Sequence, residues 1–246
     1  MKKVDFQPLK IRRLSEMIEN SIKELIVMGE LEVGDKLPTE KEISKQFGVS
    51  VVTVREALRG LEAFGIIQKK RGKSGGIFVI EIEKGIAKNA VQYFLSSKNF
   101  SARNLGDARE IVEPPAVRLA ASCITPVELK GLEANIRYCE SKLKKRGHIF
   151  SEKDFFEIEE RNVEFHRLIG EATHNPILAL TIDYLEDFLL SFKKRVLKPD
   201  IQFTQETIKS HRQIYDDLRN RDGDTAERDM LAHIRSVEVY LATKER

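Results

Sequence analysis

Cysteine is scarce in this chain. There are two in 246 residues, Cys123 and Cys139, and they form no CxxC pair. That argues against a disulfide framework or a cysteine-based metal motif, and leaves both as small core fillers in a reducing compartment. Long apolar runs are also missing. No window approaches the roughly 18 consecutive apolar residues that a membrane helix needs, so no membrane partner is expected. The opening stretch, MKKVDFQPLKIRR, is basic but has no apolar segment behind it. It does not read as a secretory signal, and a cytoplasmic location is expected. There is no convincing internal repeat.

What is present suits a soluble, helix-rich protein. Hydrophobic residues make up 41% and charged residues 33%, enough for a buried core with solvated faces. The length suits one large domain or two smaller ones. The net charge of +3 hides an asymmetry: residues 1–80 hold 15 Lys+Arg against 11 Asp+Glu, and the remainder 27 against 28. A basic first third is a weak pointer to nucleic acid at that end.

Hydrophobic spacing divides the text. Ile11, Leu14, Ile18, Ile22, Leu25 and Ile26 form a helical stripe over residues 10–28, closed by Gly29. After a turn at Gly34-Asp35, a short helix over 40–47 is expected to bury Ile43 and Phe47. Gly48 breaks it, Ser50 is a fitting N-cap, and a helix over 51–64 ends at Gly65. GIIQKK and GGIFVIEI then read as a hairpin with a basic tip. Beyond residue 80 the text is helical near 84–97, 104–123, 126–146, 151–172, 176–197, 201–221 and 223–243, with short Gly, Pro, Asn and Asp breaks. The expected fold class is mainly α: a winged helix-turn-helix over 1–80, then an all-α antiparallel helical bundle over 84–243. Pro114-Pro115 should break or kink the helix that contains them.

The helix after the turn, VVTVREALRGL, decides whether the first domain reads DNA. At about 100° per residue, Val54, Ala57, Leu58 and Leu61 share a core face. Val52, Arg55 and Arg59 lie opposite, with Val51 on the flank. An ordinary core helix would not set a bare valine beside two arginines on its outer face. A major-groove helix can, because valine packs on thymine methyls while arginine takes guanine or phosphate. The wing text KKRGK puts four basic residues in five, which suits phosphate or minor-groove contact, although alone it could be a solvated loop.

LPTEKEISKQFGVSVVTVREALRGLEAFGII resembles the N-terminal winged helix of the GntR family of bacterial transcription regulators. The resemblance covers about 70 residues. It implies DNA contacts from Lys41, from the start of the reader helix at Ser50 to Thr53 including Val52, from Arg55, and from the wing at Arg71, Gly72 and Lys73. The departure is Val51, where many relatives carry arginine.

Histidine is rare, five in the chain, and three occur mid-helix among apolar neighbours: EFHRLI, KSHRQIY and LAHIRS. Asn162 and His166 are i, i+4 and share a helix face. His211 and His233 stand in two other helices. Three imidazoles and an oxygen ligand inside a bundle can hold a divalent transition metal. Each histidine is also compatible with an ordinary hydrogen-bonded core position. His148 and His174 sit beside breaks and suggest no site.

Residues 104–240 resemble the all-helical effector domain of the FadR subgroup of the GntR family, the type called FCD, through DAREIVEPPAVRLAA, NVEFH, EATHNPIL and SHRQIYDDLRNRDGDTAERDMLAHI. Metal-binding members carry an Asp four residues before the first His and two later His. The matching positions are Asn162, His166, His211 and His233, with Asn162 a departure that should weaken or retune binding. Zinc or nickel is the implied cofactor. The resemblance also gives Arg109, spaced four residues from Glu113, the role of binding an effector carboxylate, which a guanidinium fork suits. The alternative is a surface ion pair between the two.

The expected protein is a homodimeric, sequence-specific transcription regulator, a repressor by expectation, on a near-palindromic operator. A small carboxylate bound near the metal would control its DNA affinity. Metal alone could be the signal. A metal-dependent hydrolase with a DNA-binding head is the remaining alternative, but no base or nucleophile motif supports it, so no enzyme is expected.

Overall fold

The computed structural model describes residues 11–72, 74–81, 100–143 and 150–245. The chain divides into two compact units, Met1–Phe94 and Leu95–Arg246. The expected boundary near 80–84 reaches into residues outside the described ones. The helix expected over 84–97, Lys73 and His148 also lie outside them.

In the first unit, α1 (Ile11–Val27) precedes β1 (Lys36–Leu37), α2 (Glu40–Phe47), α3 (Val51–Ala63), β2 (Ile67–Lys70) and β3 (Gly76–Val79). The strands form one antiparallel sheet in the order β1-β3-β2. The expected hairpin is therefore joined by a third strand, and two residues are too few to show alternation in sequence. The start of α2 is set by a capping box, in which Thr39 and Glu42 satisfy each other's backbone N–H. Gly48, at φ 65°, ends α2 in the left-handed region, where glycine carries no Cβ penalty. Ser50 caps α3 by accepting from the Thr53 N–H. The core gathers Ile18, Ile22, Leu37, Ile43, Val54 and Leu58.

Two burial expectations fail here. Phe47 is 42% exposed, because it ends α2 and only Ile43 of that helix reaches inward. Leu14 is also exposed. The inward face of α1 runs through Ser15, Ile18 and Ile22, and Leu14 falls one position off it.

The second unit has six helices among its described residues: α4 (Ala102–Cys123), α5 (Pro126–Leu143), α6 (Glu152–Ala172), α7 (Pro176–Val196), α8 (Ile201–Arg219) and α9 (Gly223–Lys244). Side-chain caps mark most of the starts: Ser101, Ser151, Asn175, Asp200 and Asp222. At Gly170 of α6 an added Cβ would lie 3.2 Å from Ile182 of α7, so glycine permits that close approach.

The expected break at Pro114-Pro115 is absent: α4 runs through both prolines. Proline at 114 and 115 frees the carbonyls of Glu110 and Ile111. Those residues are half-buried and exposed, so water can take the orphaned acceptors.

The apolar core forms two clusters, one around Val117, Ile136, Phe165 and Leu218, the other around Phe155, Leu189 and Phe192. Cys139 is buried in the first, where burial pushes its thiol up to about 12. That makes it an inert filler. Cys123 donates to the Ala172 carbonyl at 3.1 Å.

Candidate metal centre and nucleic-acid interface

The helices of the second unit bring three histidines together from distant parts of the chain. His166 lies on α6, His211 on α8 and His233 on α9, all buried. His211 Nε2 stands 3.2 Å from His166 Nε2 and 3.3 Å from His233 Nε2. The Phe165 ring stacks on His211 at 4.2 Å and fixes its plane.

Protons alone do not satisfy this arrangement. His166 Nδ1 lies 2.5 Å from Glu113 Oε2. A carboxylate accepts, so Nδ1 carries the hydrogen and Nε2 of the neutral ring keeps its lone pair. His211 Nε2 then faces a lone pair on one side and a third Nε2 on the other, with at most one proton to offer. Burial, reinforced by the neighbouring histidines and cations, holds the His211 and His233 pKa values well below the ordinary range. Both rings are therefore neutral near pH 7, with basic nitrogens suited to a cation.

The spacing fits one. Ligands placed tetrahedrally at the ~2.0–2.1 Å of a zinc–imidazole bond stand about 3.3–3.4 Å apart. The three histidines form a group able to hold a metal ion. Asn162, one turn before His166 on the same face, is buried, and its Oδ1 has no hydrogen-bond partner among the described residues. A buried carbonyl oxygen without a partner is costly and calls for an explanation.

Beside the histidines lies a second layer of charge. Arg109 is 2% exposed. Its Nε donates to Glu113 Oε1 at 2.5 Å and lies 3.0 Å from Glu186 Oε1. Its Nη2 lies against the His166 ring, 3.3 and 3.4 Å from the two ring nitrogens. The Arg109–Glu113 pair expected at i, i+4 is formed, but in the interior. Burial opposes the Arg109 charge, yet Glu113 and Glu186 outweigh it and raise the pKa above its ordinary value. Burial likewise opposes the Glu113 carboxylate, and Arg109 and His166 outweigh it to lower its pKa. For Glu186 burial wins, and its pKa is raised. Glu186 Oε1 faces Arg109, while its Oε2 has no hydrogen-bond partner among the described residues. A crevice of about 10 Å³, lined by Leu105, Gly106, Leu189 and Glu238 among others, leads to Arg109.

Glu159, Glu186 and Lys193 did not stand out in the sequence, yet all three are buried, and Lys193 Nζ lies 2.7 Å from Glu159 Oε2. Their signal was positional: Glu159, Asn162 and His166 stand at i, i+3, i+7, and Glu186 and Lys193 at i, i+7. His174 instead lies outside this group, half-exposed and 2.9 Å from Glu128.

In the first unit the reader-helix wheel describes α3 well. Val54, Ala57, Leu58 and Leu61 are fully buried, and Val52 is 62% exposed. The Arg55 and Arg59 side chains are exposed, and Arg59 pairs with Glu56. Lys41, Ser50, Arg71 and Gly72 are also exposed. Gly72, at φ 111°, forms the wing turn. Thr53 is buried, with its hydroxyl 2.8 Å from that of Ser50. Glu40 ties the surface together: Arg55 Nε donates to Oε2 at 2.6 Å and Lys69 Nζ to Oε1 at 3.1 Å. The Arg55 hydrogen bond is the chief cause of a lowered Glu40 pKa.

Comparison with known proteins agrees with both units. Residues 14–79 match the model for bacterial regulatory proteins of the gntR family, and residues 104–236 match the FCD domain. The chain is 30% identical over 240 residues to the HTH-type transcriptional repressor NanR of Cronobacter sakazakii, covering 94% of this chain and 86% of the relative. It is 29% identical over 242 residues to NanR of Klebsiella aerogenes, with the same coverages. A solved Streptococcus agalactiae GntR structure shares the fold, with TM-score 0.60 and 23% identity over 92% of this chain and 99% of that one. These curated relatives are named repressors rather than enzymes, which sets the hydrolase alternative aside. Among the described residues no helix is long and apolar enough to cross a membrane.

Proposed function

The chain belongs to the gntR family of bacterial regulatory proteins and carries an FCD domain after its DNA-binding head, and we propose that it is a cytoplasmic, homodimeric repressor relieved by a small carboxylate. Asn162, His166, His211 and His233 hold a divalent metal, zinc or nickel. Bound there, the metal supplies a Lewis-acidic anchor for a carboxylate. Arg109 supplies a second anchor, for which the effector competes with Glu113 and Glu186. The observation that carries this reading is the convergence of three buried imidazole Nε2 atoms beside a buried arginine. Effector binding would shift the pose in which two heads meet a near-palindromic operator.

The test is operator binding by metal-loaded protein, with and without a panel of small carboxylates. An active carboxylate is expected to weaken binding by roughly 5–150-fold, the usual range of allosteric coupling. Arg109→Met is expected to lose that response. A second reading has its own support. Arg109 is already engaged by two carboxylates, and the crevice beside it is small. If chelation alone changes operator affinity and no carboxylate does, the metal itself is the signal.

On the DNA side, Ser50, Thr53, Arg55 and Lys41 serve the operator together with Arg71, Gly72 and Lys73 of the wing. Val52, exposed beside Arg55, should face a thymine methyl. Selection from random DNA is expected to return A·T pairs at the base steps facing Val51 or Val52. Absence of any thymine preference there refutes this placement.

A further inference from the structure

The buried ion pair between Lys193 and Glu159 has no role in the function described so far. Glu159 is 0% and Lys193 2% exposed, and their charged atoms stand 2.7 Å apart. Stability alone is a poor reason to keep such a pair. The cost of desolvating both charges commonly matches or exceeds their attraction, and apolar residues of similar volume often serve as well or better.

The pair does fix one amide. Asn162 Nδ2 donates to Glu159 Oε1 at 3.1 Å. The two ends of an asparagine amide are nearly the same size, so packing alone hardly chooses between them, and the hydrogen-bond network decides. A carboxylate only accepts, so it selects the NH2 end. The oxygen is thereby turned away from Glu159, and it has no hydrogen-bond partner among the described residues although the side chain is buried. Glu159, Asn162 and His166 lie on one face of α6, at i, i+3 and i+7.

We propose that Glu159, held by Lys193, is a positioning residue for the metal centre: it turns Asn162 so that the carbonyl oxygen, not the amino group, is offered to the cation beside His166, His211 and His233. This inference rests on the metal reading above. It explains how a neutral amide serves at that position. Amide nitrogen is a donor and cannot ligate, so a freely flipping Asn162 would spend part of its time presenting the wrong end. The Lys193–Glu159 pair removes that alternative.

The test uses full-length protein stripped of metal and titrated with Co(II), read by its visible absorption and by competition with a chelator. Glu159→Gln can pair with either end of the amide and no longer selects the oxygen. It is expected to lose about 10–100-fold in Co(II) affinity, the usual cost of disturbing a ligand's partner, with a changed absorption envelope. Combining Glu159→Gln with Asn162→Asp reverses the pair. The introduced amide then donates to the introduced carboxylate, which keeps one oxygen for the metal. Affinity is expected to return to the wild-type value or exceed it. Should Glu159→Gln fold poorly with Lys193 left alone, Glu159→Gln with Lys193→Met removes the stranded charge and is expected to show the same loss.

Unchanged Co(II) affinity and spectrum in Glu159→Gln overturn the proposal. So does a loss that the reversed pair fails to recover while the metal-free melting temperature matches wild type. If the wild-type chain itself takes up no Co(II), the metal reading falls and this inference with it. Normal wild-type uptake with an unaffected Glu159→Gln sinks the inference alone.

Discussion

Replacing Arg55 with Ala is expected to weaken binding to the selected operator by roughly 5–150-fold per half-site, from the ~1–3 kcal/mol of a bidentate arginine–guanine contact. The Arg55 side chain is about half exposed on the outer face of α3, beside Val52 and opposite the fully buried Val54, Leu58 and Leu61. Its Nε is held by Glu40, which aims the guanidinium while the two η nitrogens remain as the fork a guanine edge requires. In the proposed dimer on a two-half-site operator, both subunits would lose the contact, and for independent sites the total effect is about 2–6 kcal/mol. The fold should hardly notice, since an exposed ion pair contributes about 0–1 kcal/mol. Fluorescence anisotropy on the selected operator measures the affinity, and melting and sedimentation check the fold. Wild-type affinity in Arg55→Ala would remove α3 from the reader role. A loss that is equal on unrelated DNA, with a shallower salt dependence, would assign Arg55 to phosphate instead of base.

Most of this head was legible because its signals are local. Ser50 announces a helix start, Gly48 and Gly65 mark ends, and the outer face of α3 follows from spacing alone. The misreadings came from tertiary geometry. β1 is two residues long and exists only because β3 pairs with it. Phe47 satisfies the apolar pattern, but the left-handed turn at Gly48 leaves it at the rim. In the second unit the three histidines were legible as rare residues in apolar settings; spacing alone left an ordinary core role open, and the family resemblance grouped them although they lie 45 and 22 residues apart on three helices.

The charged layer shows why pattern reading stops short. A Glu or Lys in an amphipathic helix ordinarily belongs to the solvated face. Glu159, Glu186 and Lys193 break that expectation because each has a buried partner on another helix: Lys193 for Glu159, Arg109 for Glu186. Spacing can place such residues on the inward stripe, but only packing reveals the partner that makes their burial tolerable. Arg109 and Glu113 illustrate the same limit. Their i, i+4 pairing was visible, while its burial comes from His166 on α6 and Glu186 on α7, which only packing brings against α4.

The largest stability effect should come from the metal. At a free zinc concentration about 1,000 times the dissociation constant, binding to the native state alone adds about 4 kcal/mol. For a unit of this size, each kcal/mol moves the melting temperature by roughly 2–4 °C. Zinc should therefore raise the melting temperature by roughly 8–16 °C over the metal-free protein, and His211→Ala should abolish most of that rise. His211 is the decisive position because its Nε2 is the one within 3.3 Å of both others. The quantity to read is the zinc-induced difference, since removing His211 also strips a ring stacked on Phe165 and lowers the metal-free baseline. The pH dependence has a definite sign. His211 and His233 have folded pKa values held well below the ordinary ~6.5 by burial. The unfolded chain therefore takes up protons that the folded chain refuses. Metal-free stability is fully present above the unfolded pKa and is lost as pH falls below it, by up to about 1.4 kcal/mol per pH unit for each proton. His211→Ala removes one of those protons and should flatten the slope. A zinc shift that persists in His211→Ala, or a wild-type acid slope unchanged by that substitution, would mean that the three imidazoles do not act as one site.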